Sequence, residues 1–143
     1  MKQEGQTLME SMIVAAIVGI LTALGMPNFL GLQSRVQLRS VAEEIASELR
    51  LARQLAISHR DRVRVAFDVG QQVLEAQLVD DPTIHHVYRY GDKGIMIDEP
   101  SAGPQILFHP SGRSATATTI SIRSSEGQVQ KLTVAITGRV SIL

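Results

Sequence analysis

The chain has no cysteine and no tryptophan, and only two tyrosines and three phenylalanines in 143 residues. Without cysteine there is no disulfide staple, no thiolate metal site and no thiol chemistry, and the redox compartment stays undefined. With so few rings, a core has to be built mainly from Val, Ile, Leu and Ala. An excess of charge is also missing: 14 basic residues balance 14 acidic ones. That argues against a generally nucleic-acid-binding surface and leaves room only for a local patch. From Ser11 to Ser34 there is no Asp, Glu, Lys or Arg.

That charge-free run, as a helix, would span about 36 Å at about 1.5 Å per residue, enough for a hydrocarbon core of about 30 Å. Glu10 is the only charge near its start. A carboxylate costs up to about 2.5–3.5 kcal/mol at the centre of a membrane helix, and less near the interface. Such a group is kept when something pairs with it. The charged start, Met1 to Glu4, holds one basic residue, Lys2, and no Ala-x-Ala site follows the apolar stretch. A removable secretory signal is therefore excluded. Two readings stay open: an anchor that is never cut, or a cut after Gly5 that leaves the apolar helix on the mature chain. Either way about 110 residues remain, enough for one modest core.

Gly5-Gln6-Thr7-Leu8-Met9-Glu10, the run Ile13-Val14-Ala15-Ala16-Ile17-Val18-Gly19-Ile20-Leu21 and Met26-Pro27-Asn28-Phe29 resemble the N-terminus of type IV pilins and type II secretion pseudopilins. The resemblance implies that a prepilin peptidase cuts between Gly5 and Gln6 and methylates the new amine on Gln6. It also implies that Glu10 sets the register of assembly, by meeting that amine in a neighbouring subunit. The residue after the cut is usually Phe in the family and is Gln6 here. The implied partners are the peptidase, other pilin or pseudopilin subunits, an inner-membrane assembly platform and membrane lipid. The implied location is the bacterial inner membrane, crossed once, with Lys2 and the N-terminus cytoplasmic and the head periplasmic, and then a pseudopilus or pilus.

Pro27 removes one backbone hydrogen bond and is expected to kink or locally melt the helix. Beyond it, Leu38, Val41, Ala42, Ile45, Leu49, Ala52 and Ala56 recur at spacings of three and four, an amphipathic stripe that should end near His59. From Arg62 the period becomes two, with Val63, Val65 and Phe67 on one face. Further strands are expected at 73–79, 84–90, 95–97, 106–109, 116–123, 129–136 and 139–143. The turns between them include Asp80-Asp81-Pro82, Pro110-Ser111-Gly112 and Ser124-Ser125-Glu126-Gly127. The expected fold class is α+β, a long N-terminal helix packed on a C-terminal antiparallel β-sheet head. Its parts are a leader at 1–5, a transmembrane half-helix at 6–34, an amphipathic half-helix at 35–60 and a β-rich head at 61–143.

The head is similar to the H-type minor pseudopilins of type II secretion and the related FimT-like minor pilins. The carriers are Phe108-His109-Pro110-Ser111-Gly112-Arg113 and Leu132-Thr133-Val134-Ala135-Ile136-Thr137-Gly138-Arg139-Val140. Arg113 and Arg139 are candidates for a weak contact with nucleic acid or a partner. FimT-like chains associated with DNA uptake end in a more basic Gly-Arg-x-Arg pattern. Ser141 replaces the second arginine here, which disfavours nucleic acid because phosphate binding scales with clustered positive charge. His85-His86 would alternate sides of a strand and so not share a metal. Asp80-Asp81 and Asp98-Glu99 precede prolines without the ligand spacing of a calcium loop. Ser111 and Ser125 lie in turns with no nucleophile-elbow pattern. No catalytic residue, metal or cofactor is expected. The reading is a minor pseudopilin that helps assemble or tip a pseudopilus. The alternatives are a FimT-like minor pilin for pilus assembly or DNA uptake, and a plain membrane-anchored binding domain.

Overall fold

The structure, a computed structural model, describes residues 8–83 and 85–143, with the side chains at 25–31 outside the description. Helix α1 runs from Leu8 to His59. The chain divides into two compact units that meet between Ser34 and Arg35. Arg60 then takes a left-handed conformation, φ 53°. A residue in that conformation commonly closes a helix by turning the chain off its axis.

In the first unit every described side chain from Leu8 to Leu24 is exposed. Among the described residues no helix is long and apolar enough to cross a membrane. The expected span at 6–34 and the kink at Pro27 take in positions outside the described residues or side chains.

In the second unit the predicted stripe is the buried face of the helix. Leu38, Val41, Ala42, Ile45, Leu49, Ala52 and Ala56 are all buried, and Ala46 joins them. Four alanines on that face let the backbone approach the sheets closely. Eight strands follow: β1 Val63–Asp68, β2 Val73–Leu78, β3 His85–Arg89, β4 Ile95–Ile97, β5 Gln105–Phe108, β6 Thr118–Ser124, β7 Val129–Val134 and β8 Val140–Ile142. They form two four-stranded antiparallel sheets, ordered β3-β2-β1-β5 and β4-β6-β7-β8. Val63, Val65 and Phe67 face inward, as their alternation predicts, and Val65 pairs with Ala76 on one side and Ile106 on the other. One apolar cluster joins the helical stripe to both sheets, with Tyr90 and Phe108 as its largest fully buried members.

The antiparallel head expected from the sequence thus divides into two sheets. β4 leaves the β1–β3 meander to pair with β6, and β5 returns to the far edge of β1. A short 3₁₀ turn, Gly91–Lys93, makes the transfer, with Gly94 left-handed at its end.

Candidate functional site

Two arrangements concern function. The first is the apolar half of α1. Glu10 lies in its first turn, beside Leu8, Met9, Ile13 and Val14, which are all exposed. A helix that is apolar on every side is normally covered, by other helices or by lipid. Gly19 has nothing within 4 Å of where a Cβ would stand, so contacts within its own chain do not require it to be glycine. Gly5 and Gln6 lie outside the described residues.

The second is a junction of two turns in the head. Each motif that carried the family resemblance closes on itself in the same way. Gly112 N–H donates to the His109 carbonyl at 2.8 Å, and His109 N–H to the Arg113 carbonyl at 2.8 Å. Gly138 N–H donates to the Ala135 carbonyl at 2.8 Å, and Ala135 N–H to the Arg139 carbonyl at 2.9 Å. The Ser114 N–H to Ile136 carbonyl bond, 3.0 Å, ties one turn to the other. Both glycines are buried and left-handed, φ 77° and 76°. Arg53 from α1 reaches in and donates from Nε to the Gly112 carbonyl at 2.9 Å. Arg50, one turn earlier, donates to the Val140 carbonyl at 3.4 Å. The two motifs therefore hold the head to the helix, and the arginines that follow the glycines, Arg113 and Arg139, are left exposed. No sequence periodicity marks Arg53 as the connector. Its signal is only an arginine beside an alanine-lined stripe.

A polar strap fastens β3 and the 3₁₀ turn to the same stretch of α1. Tyr88 hydroxyl donates to Glu44 Oε2 at 2.5 Å, Lys93 Nζ pairs with the same oxygen, and Gln37 donates to the Lys93 carbonyl at 2.8 Å. The Lys93 and Tyr88 hydrogen bonds hold the Glu44 carboxyl below its ordinary range. The Glu44 hydrogen bond raises Lys93. Glu44 stabilises only above its ordinary titration range, and that contribution is lost as pH falls through its lowered pKa. Lys93 stabilises below its ordinary value, and that is lost as pH rises through its raised pKa. Both groups are a third or more exposed, so the strap is worth at most about 1 kcal/mol. Glu44→Gln should lower Tm at neutral pH by a few degrees, and the difference in thermal melts should shrink as pH falls through the lowered Glu44 pKa. A Tm difference that persists undiminished as pH falls would rule out the charge contribution.

The remaining candidates fall to structural roles. His85 faces Glu75 at 3.8 Å, and His86 faces Glu48 at 2.8 Å. That second contact is short, yet Glu48 Oε2 is buried without a hydrogen bond of good angle. Asp81 accepts from the Thr83 N–H and hydroxyl, and Asp98 pairs with Arg123 at 2.7 Å. Among the described residues no cluster of three or more His, Cys, Asp or Glu could hold a metal.

The fold is similar to those of solved minor pilins and pseudopilins. The type IV minor pilin FimU of Pseudomonas aeruginosa superposes with a TM-score of 0.62 at 20% identity, over 76% of this chain and 90% of that one. The minor pseudopilin EpsH of the type 2 secretion system of Vibrio cholerae superposes at 0.58 and 20% identity, over 75% and 96%. In sequence, 61 residues are 41% identical to the type IV major pilin protein PilA of Myxococcus xanthus, and this match spans only 27% of that relative's length. The profile of the family described as type II transport protein GspH matches residues 41–138. The chain belongs to that family.

Proposed function

We propose that the chain is a minor pseudopilin of a type II secretion system, a filament subunit that helps assemble or tip the pseudopilus. The observation that carries the reading is the joining of a GspH-family head to a helix whose apolar side chains are exposed all round and whose first turn holds Glu10. Filament packing and a membrane each supply the cover that helix calls for. In this reading a prepilin peptidase trims the leader after Gly5, and Gln6 supplies the amine. Apolar residues 6–34 hold the subunit in the inner membrane until neighbouring helices replace lipid.

Mass spectrometry of the intact protein extracted from membranes tests the first step. The expected mature chain begins at Gln6 and carries one methyl group. A chain beginning at Met1 would overturn the filament reading and leave a plain membrane anchor.

A second reading, a minor pilin of a type IV pilus, is favoured by the likeness to FimU and by the segment shared with a major pilin. Disrupting the gene separates the two. Lost export with intact pilus function supports secretion, and the reverse supports the pilus.

A further inference from the structure

The outward face of the second sheet carries a groove that the assembly reading does not use. Leu132 and Val134 turn inward from β7, which leaves Lys131, Thr133 and Ala135 on the outer side. The register sets Thr119, Thr133 and Ser141 directly opposite one another across β6, β7 and β8. These short hydroxyl side chains, with Ala117 and Ala135, form the floor of a groove of about 320 Å³. Arg139 stands at one end of it. Lys131, opposite Ser121, stands on the same face one row beyond the hydroxyls.

Arg139 and Lys131 are exposed, and neither has an ion pair among the described residues. Thr133 donates its hydroxyl proton to the Ser141 carbonyl at 3.3 Å. The hydroxyls of Thr119 and Ser141 make no hydrogen bond among the described residues. The face therefore offers two unpaired cations and two free hydroxyl donors over a floor without bulk, while Arg123 on the same face is paired with Asp98.

We propose that this groove docks an extended acidic segment of a partner polypeptide. Lys131 on β7 and Ala135, the residue just past its end, whose N–H meets the Arg139 carbonyl, are four residues apart, about 13 Å if that run stays extended. Two carboxylates four residues apart on an extended chain have the same spacing. Their backbone between would lie over the hydroxyl row. Nucleic acid fits less well. Nucleic-acid affinity grows with the number of phosphates neutralised, and this face presents two unpaired cations, Arg123 on the same side being paired with Asp98.

The test uses the full chain in nonionic detergent and a fluorescent decapeptide of Ser and Thr with two glutamates four residues apart. Fluorescence anisotropy should show binding that is lost when both glutamates become glutamine. Arg139→Gln and Lys131→Gln should each weaken binding about threefold to fivefold, the range of single exposed ion pairs. Arg64→Gln, on the other sheet, should leave it unchanged. Thermal melts check that each variant keeps the fold. A variant that does not is replaced by Thr133→Leu, which adds bulk to the floor without touching either cation and should also weaken binding. The proposal is overturned by absence of binding, by equal binding of the glutamine peptide, by insensitivity to both cation variants, or by a twelve-nucleotide single strand that binds more tightly than the peptide. None of these readouts involves N-terminal processing or the apolar helix, so the filament reading can fail without it.

Discussion

Gly138→Ala is expected to be the most damaging single methyl group in the head. A Cβ at this position would fall inside the van der Waals envelope of the Gly112 carbonyl oxygen, and would stand 3.1 Å from the Gly112 carbonyl carbon and 2.9 Å from Arg53 Nε. The first two are backbone atoms held by the paired turns, so they cannot step aside as a side-chain tip would. The left-handed φ of 76° adds about 1 kcal/mol for any residue with a Cβ, and overpacking typically adds 1–3 kcal/mol. The sum, about 2–4 kcal/mol, should lower Tm by roughly 10–20 °C in a domain of this size. Gly127→Ala is the control. Gly127 is also left-handed, φ 81°, but nothing lies within 4 Å of its Cβ position. It should lose only the conformational part. If the two variants melt together, the docking of the two turns contributes nothing to stability.

That junction also shows where a single sequence stops being readable. The periodic parts of the head were legible: seven of the eight residues on the buried helical face follow from spacing alone, and each strand lies within two residues of its predicted bounds. Hydrophobic spacing records which side of an element faces the core, because burial acts residue by residue. It does not record which element answers which. Phe108 to Arg113 and Thr137 to Arg139 are 24 residues apart between Arg113 and Thr137, and their glycines touch only because β6 and β7 bring the two turns together. Each could be read as a turn, but not as half of a joint. The division into two sheets was hidden for the same reason. β4 is three residues long, and its partner lies beyond β5 in the chain, so pairing depended on tertiary packing rather than on pattern. Lys93 and Glu44 lie 49 residues apart, and no spacing in the sequence joins them.

The N-terminal half is the opposite case. Its chemistry is legible, and under the proposed function its meaning lies in contacts between subunits. Under the proposed function, Glu10→Ala is expected to leave membrane insertion and cleavage intact and to reduce incorporation into the filament by at least tenfold. Cleavage after Gly5 would place an ammonium on Gln6 about 6 Å along the helix axis from Glu10, at about 1.5 Å per residue. Neighbouring helices staggered by that amount bring the amine of one subunit to the carboxylate of the next. Away from water, breaking such a pair by removing one partner costs about 3–5 kcal/mol, because the other charge is stranded. That corresponds to a factor of about a hundred or more in association at about 1.4 kcal/mol per tenfold. Part of this would be recovered by movement of the stranded amine toward lipid headgroups, hence the lower bound. The variants separate charge from shape. Glu10→Gln keeps the side chain's size and should fail nearly as badly as alanine. Glu10→Asp keeps the charge on a shorter stem and should retain part of the incorporation. The readout is the fraction of processed subunit crosslinked to neighbours in sheared filaments. The chain has no native cysteine, so a single introduced cysteine in the head gives crosslinks without background from this subunit. Normal incorporation of Glu10→Ala would remove Glu10 from assembly and leave it as a charge among headgroups. Loss of cleavage in the same variant would move its role from the filament to recognition by the peptidase.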